Sequence, residues 1–94
     1  MEDLLSFFGP EVAWPWVVFW NELGIEKVIS YHTHYGNFAL EIHYSDKGKL
    51  DYVQITRCTT KYDVLYVERQ DMSELRVKEF DHPEQVLEFI TDAP

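Results

Sequence analysis

The sequence predicts a single α+β domain, with N-terminal helices and a C-terminal helix packed on one face of a five-stranded antiparallel meander. Three observations lead to this fold class. Apolar residues recur at helical spacing before residue 26, residues 27–80 alternate in polarity between short turns, and residues 81–94 open with a helix-start pattern. A chain of 94 residues has the length of one domain. We therefore divide 1–94 into a helical acidic segment (1–26), an antiparallel sheet (27–80) and a closing helix (81–94).

The N-terminal segment is expected to form two helices. Glu2–Phe8 is the first, because Gly9-Pro10 ends the apolar run there. In the second helix, Pro15 fits the first turn and Gly24 fits the C-terminal stop. One stripe at helical spacing is expected to face the sheet: Ala13, Trp16, Val17, Trp20 and Leu23. Three apolar residues lie outside this stripe: Trp14, Val18 and Phe19. They indicate burial on a second side, against the first helix or against another chain.

The first two strands are expected to form a hairpin. Gly36-Asn37 has the composition of a two-residue hairpin turn. A turn at this point matches apolar or semi-apolar residues across the strands: Tyr35 with Phe38, Thr33 with Leu40, Tyr31 with Ile42 and Ile29 with Tyr44. Because a slip of one residue would turn these side chains to the other face, the alternation predicts this register.

Three further strands and the closing helix complete the predicted fold. The strands are Leu50–Cys58, Tyr62–Arg69 and Leu75–Phe80, and in the last of them Leu75 and Val77 are expected to point inward. The closing helix has a strong start pattern, with a cap, a proline in the first turn and a capping-box carboxylate: Asp81, Pro83 and Glu84. Its apolar side consists of Val86, Leu87, Phe89 and Ile90.

The predicted hairpin register places three histidines and a carboxylate on the face opposite the apolar pairs: His32, His34, Glu41 and His43. Histidine and carboxylate side chains are ligands for zinc or iron, and a His–Glu pair can transfer protons. The solvated face of a half-exposed sheet also carries polar residues, and this interpretation is favoured. We therefore favour no metal site and no cofactor. A metal-binding protein or small metalloenzyme that uses these four residues is the alternative.

The formal net charge of −9 is concentrated at both ends of the chain. Residues 1–26 and residues 79–94 each carry five acids and no base, whereas residues 27–78 carry seven acids and eight bases. Binding to nucleic acid needs cations that neutralise phosphates. The distribution therefore argues against direct binding to DNA, RNA or an anionic membrane. It favours a basic surface of a partner protein, for example a nucleic-acid-binding protein.

The cysteine usage and the N-terminus indicate a reducing compartment. Cys58 is the single cysteine, so no intramolecular disulfide forms. The N-terminus lacks the basic region of a signal peptide. The longest apolar run, Val12–Trp20, is about half a membrane span and contains Pro15. We expect a cytoplasmic protein, in a cell or in an infected host.

These features predict a small, acidic, non-catalytic protein-binding module. No nucleophile motif, glycine-rich phosphate loop or other catalytic motif is found. The candidate contacts are the carboxylates of the closing helix and two aromatic anchors: Glu84, Glu88, Asp92, Trp14 and Phe19. Small acidic α+β proteins of this size, charge and layout occur among phage-encoded inhibitors of host defence and among toxin-neutralising immunity proteins, which is an analogy of build and not of motif. In such a role the carboxylates would imitate a row of nucleic-acid phosphates. A homodimeric structural or assembly subunit, joined through the tryptophan-rich helix, is a further alternative.

Overall fold

The computed structural model describes residues 2–22, 24–45 and 48–91, and these form the predicted α+β fold. Five antiparallel strands pair in sequence order as a meander. The helices are α1 (Glu2–Phe8), α2 (Pro10–Ala13), α3 (Val17–Glu22) and α4 (Pro83–Thr91). The strands are β1 (Ile25–His32), β2 (Phe38–Tyr44), β3 (Leu50–Arg57), β4 (Tyr62–Glu68) and β5 (Asp71–Phe80). None of the helices within the described ranges is both long enough and apolar enough to cross a bilayer.

The hydrophobic core lies between the helices and one face of the sheet, which we call the inner face. Alternate residues of the three central strands supply one side of this core: Leu40, Ile42, Val53, Ile55 and Val64. The helices supply the other side: Leu4, Phe7, Ala13, Trp20, Val86, Leu87 and Ile90. Full burial of a large apolar side chain contributes about 1.5–3 kcal/mol. The helices therefore pack on one face of the sheet, as the sequence predicts, and this packing buries most of the fully buried apolar side chains.

Two prolines divide the tryptophan-rich segment into short pieces. Pro10 opens α2, and a 3₁₀ turn at Trp14–Trp16 joins α2 to α3. Pro15 lies inside this turn, where its missing N–H interrupts a regular helical ladder. The segment therefore consists of α2, the 3₁₀ turn and α3, whereas the sequence predicted one helix.

Burial in this segment follows the predicted stripe. Ala13 and Trp20 are buried, and Trp16 and Val17 are half-buried. Outside the stripe, Trp14 is 66% exposed and Val18 is 55% exposed. Phe19 is half-buried, with its ring centroid 5.9 Å from that of Trp16. Leu23 lies outside the described residues.

The register between β1 and β2 is shifted by three residues from the predicted one. Phe38 pairs with His32 rather than with Tyr35. The other partners on this face are Ser30 with Leu40 and Val28 with Ile42. Because the shift is an odd number of residues, Ile29 and Tyr31 lie on the face away from the core. The predicted register is therefore wrong, although β2 presents the predicted residues to the core.

A loop at residues 33–37 causes this shift by replacing the predicted two-residue turn. The N–H of Thr33 donates to the carbonyl of Asn37 at 2.7 Å, and the N–H of Asn37 donates to Thr33 Oγ1 at 3.1 Å. Gly36 adopts a φ of 84°, which glycine tolerates without a steric penalty. On β1, Ser30 Oγ donates a 3.0 Å hydrogen bond to Asp3 Oδ1 of α1, which holds that side chain on the inner face.

The last strand is longer and more exposed than predicted. β5 begins at Asp71, and its residues Leu75 and Val77 are 60% and 63% exposed. The prediction that these two residues point inward is therefore wrong. Val77 pairs with Leu65 on the face away from the core, whereas Val64 supplies the core contact of β4. We call this second face of the sheet the open face.

Candidate protein-interaction surface

Helix α4 is attached to the sheet along its apolar side. Val86, Leu87 and Ile90 are fully buried in the core. Near the C-terminal end of the helix, the Tyr44 hydroxyl donates a 2.7 Å hydrogen bond to the backbone carbonyl of Ile90. Helix ends leave carbonyls without intrahelical partners, so this bond both satisfies a buried acceptor and fixes the helix on β2.

The N-terminal cap of α4 differs by one residue from the predicted cap. The helix begins at Pro83, which makes His82 rather than Asp81 the residue before the first turn. The N–H of His82 donates a 3.2 Å hydrogen bond to Gln85 Oε1, which is the return arm of a capping box. Glu84 is therefore released from the predicted capping role and projects into solvent.

Two candidate carboxylates occupy the solvent side of α4. Glu84 and Glu88 are both exposed, one helical turn apart, as their spacing predicts. None of the ion pairs found within residues 2–22, 24–45 and 48–91 involves either carboxylate. Their negative charge is therefore available to a partner. Asp92, the third candidate on this helix, lies outside the described residues.

Three basic side chains, on β5 or between β3 and β4, make contacts within the chain. Arg76 lies near three carboxylates, with its Nε 2.9 Å from Glu68 Oε1 in an ion pair that lacks hydrogen-bond alignment. Lys61 Nζ lies 2.7 Å from Glu79 Oε1, and this pair holds the pKa of the Glu79 carboxyl below its usual value. Lys78 Nζ lies 5.1 Å above the Phe89 ring. These three basic side chains make these contacts with groups other than Glu84 and Glu88.

A groove of mixed polarity runs beside α4 and was not predicted. It has a volume of about 470 Å³ and lies between α4 and the ends of β3, β4 and β5. Its lining combines apolar and polar side chains: Leu50, Phe80, Phe89, Lys49, Glu68, Gln85 and Glu88. Phe80 and Phe89 lie in contact, with ring centroids 5.6 Å apart. Glu88 therefore stands both on the exposed face of α4 and at the edge of an aromatic-floored groove.

The two predicted aromatic anchors differ in accessibility. Trp14 is 66% exposed, and the 3₁₀ turn that carries it packs beside α4. Phe19 is half-buried against Trp16 and offers less free area. Exposed tryptophan is enriched among the residues that dominate binding energy at interfaces. We call Trp14, Glu84, Glu88 and the groove residues Phe80 and Phe89 the α4 surface.

The four residues of the alternative metal site are not brought together. His32 lies on the inner face with its ring 5.0 Å from Phe38, and His34 lies in the β1–β2 loop beside Tyr35. Glu41 and His43 share the open face, with His43 Nε2 3.6 Å from Glu41 Oε1. The predicted cluster depended on the wrong register. Across the described part of the chain, no group of three His, Cys, Asp or Glu side chains is placed to hold a metal ion.

A polar cluster on the open face surrounds Glu41. Burial, followed by a hydrogen bond to the Glu41 carboxylate, raises the pKa of Tyr31 and raises that of Tyr52 to about 12. The Tyr52 hydroxyl also lies 3.2 Å from Gln54 Oε1, and its ring contacts His43 at 5.0 Å. Both tyrosines therefore remain protonated hydrogen-bond donors at neutral pH. The cluster is suited to holding three strands together and does not supply a strong base.

The single cysteine is likewise not activated. Burial and the carboxylate of Asp63, 3.4 Å from the sulfur, raise the pKa of the Cys58 thiol. A thiolate is the nucleophilic form, so this environment disfavours nucleophilic chemistry at neutral pH.

Comparison of the chain with protein families, with curated proteins and with solved structures finds no match.

Proposed function

We propose that this protein is a non-catalytic binding module that uses the α4 surface to cover a basic surface of a partner protein. The supporting observation is the position of Glu84 and Glu88, which are both exposed and lack ion pairs within the described residues, and of which Glu88 lines a groove with two phenylalanine side chains. The groove can thus supply binding energy, and the adjacent carboxylates of α4 can supply selectivity for a positively charged partner.

The charge of the module favours a cationic partner. Complementary potentials raise association rates and disfavour partners of the same charge. With a net charge of −9, the chain is attracted to basic proteins and repelled by nucleic acids. The carboxylates of α4 can therefore occupy positions that phosphates take on a nucleic-acid-binding protein.

The groove gives the interaction an apolar component. Complementary charges act more on specificity and on the rate of association than on the lifetime of a complex. Aromatic and apolar anchors that fill pockets supply most of the affinity at interfaces. An arginine or lysine of the partner suits this groove, because its aliphatic stem can lie on Phe80 and Phe89 while its charge meets Glu88. Within the chain, Lys78 Nζ lies 5.1 Å from the Phe89 ring centroid, so this ring already accommodates a cation over one face.

A module that occupies a functional surface of its partner also inhibits that partner. A module that covers a nucleic-acid-binding surface blocks that surface without chemistry. Inhibitors of host defence encoded by phages and immunity proteins that neutralise toxins work on this principle. We propose an inhibitory role of this type, acting in the cytoplasm of a cell or an infected host.

Affinity capture from a lysate of the source cell tests the proposal. The bait is the full chain, and the matched baits are Glu84→Gln/Glu88→Gln and the control Glu22→Gln/Glu26→Gln, which removes the same charge at the α3–β1 connection. A basic protein retained by the wild-type chain and by the control, but lost from the α4 variant, supports the proposal. Equal retention by all three baits, or retention of bare DNA or RNA at physiological salt, contradicts it.

A further inference from the structure

We draw no further inference here: the strongest candidate, the apolar patch around Leu65 and Val77 on the open face of the sheet, carries none because nothing in the structure shows what covers it.

Discussion

The hydroxyl group of Tyr44 on β2 donates a 2.7 Å hydrogen bond to the backbone carbonyl of Ile90, close to the end of α4. This bond joins residues 46 positions apart and fixes the helix that carries Glu84 and Glu88. The ring of Tyr44 is itself buried, with 5% of its surface exposed. The position of the α4 surface relative to the sheet therefore depends on one buried polar contact in addition to apolar packing.

Replacement of Tyr44 by phenylalanine should destabilise the fold. The change Tyr44→Phe removes the donor and leaves the Ile90 carbonyl without this partner, at a cost of about 1–2 kcal/mol. In a domain of this size each kcal/mol lowers Tm by roughly 4–8 °C. Thermal unfolding followed by circular dichroism measures the change. Tyr35→Phe is the matched control, since Tyr35 is 89% exposed, and an equal loss in both variants would contradict the role assigned to Tyr44.

Arg69 is expected to hold the β2–β3 connection. Its guanidinium group donates to the backbone carbonyls of Ser45, Gly48 and Leu50, and its Nη1 lies 3.3 Å from Asp51 Oδ1. Lysine cannot reproduce this fork of donors, so Arg69→Lys should lower the free energy of unfolding by about 2 kcal/mol.

Urea unfolding measures this loss, and Lys61→Gln is the comparison. Lys61 makes an ion pair with Glu79 that is exposed to solvent, and such exposed pairs contribute little to stability. The Lys61 variant should therefore unfold at nearly the wild-type urea concentration. An Arg69→Lys variant as stable as the Lys61→Gln variant would show that the backbone contacts of Arg69 are unimportant.

Tyr52 should make the fold sensitive to alkaline pH. Burial, assisted by the hydrogen bond and charge of Glu41, raises the pKa of Tyr52 from 10.0 to about 12. The stabilising contribution of the protonated phenol is complete below pH 10, because both the folded and unfolded forms are then protonated. Between pH 10 and 12 the unfolded chain loses the proton first, so stability falls as pH rises.

Urea unfolding over this pH range checks the prediction. The Tyr52→Phe variant should show a shallower loss of stability than the wild type. Glu41→Gln removes one cause of the shift, so the absorbance of tyrosinate should appear at lower pH in that variant. Identical alkaline profiles for the wild type and Tyr52→Phe would contradict the assignment.

The sequence predicted β2 correctly and β1 incorrectly for one physical reason. In β2, Phe38, Leu40 and Ile42 alternate with smaller or polar residues, so one face is clearly apolar. In β1, Val28 and Ile29 are adjacent, so apolar residues occur on both faces and alternation alone does not choose between them. The hydrogen bonds of the 33–37 loop and the contact of Ser30 with α1 determine which face of β1 is turned toward the core.

The candidate site was likewise predictable in part. Exposure of Glu84 and Glu88 follows from helical periodicity once the buried side of α4 is recognised. The adjoining groove does not follow, because its wall at Lys49 and Leu50 comes from a connection distant in sequence. Phe89 was assigned to the apolar side of the helix, but its place beside the groove depends on packing against Phe80. The partner and the inhibitory role stay predictions.

Trp14, the exposed tryptophan of the α4 surface, should affect the lifetime of the complex with the partner protein. Trp14→Ala removes the most exposed tryptophan identified, which is 66% accessible, without opening the core. As an interface anchor it should weaken binding to the captured partner about thirtyfold, chiefly through faster dissociation. Surface plasmon resonance measures both rates. Val18→Ala, an exposed position on the same segment, serves as the control, and equal small effects in both variants would remove Trp14 from the interface.

The most direct test of the proposed function is calorimetric titration of the captured partner at low and at physiological salt. The wild-type chain and the Glu22→Gln/Glu26→Gln control should bind with affinities that fall as salt rises. Glu84→Gln/Glu88→Gln should bind about tenfold more weakly at low salt and show a smaller dependence on salt. If this variant binds like the wild type at both salt concentrations, the carboxylates of α4 do not form the binding surface.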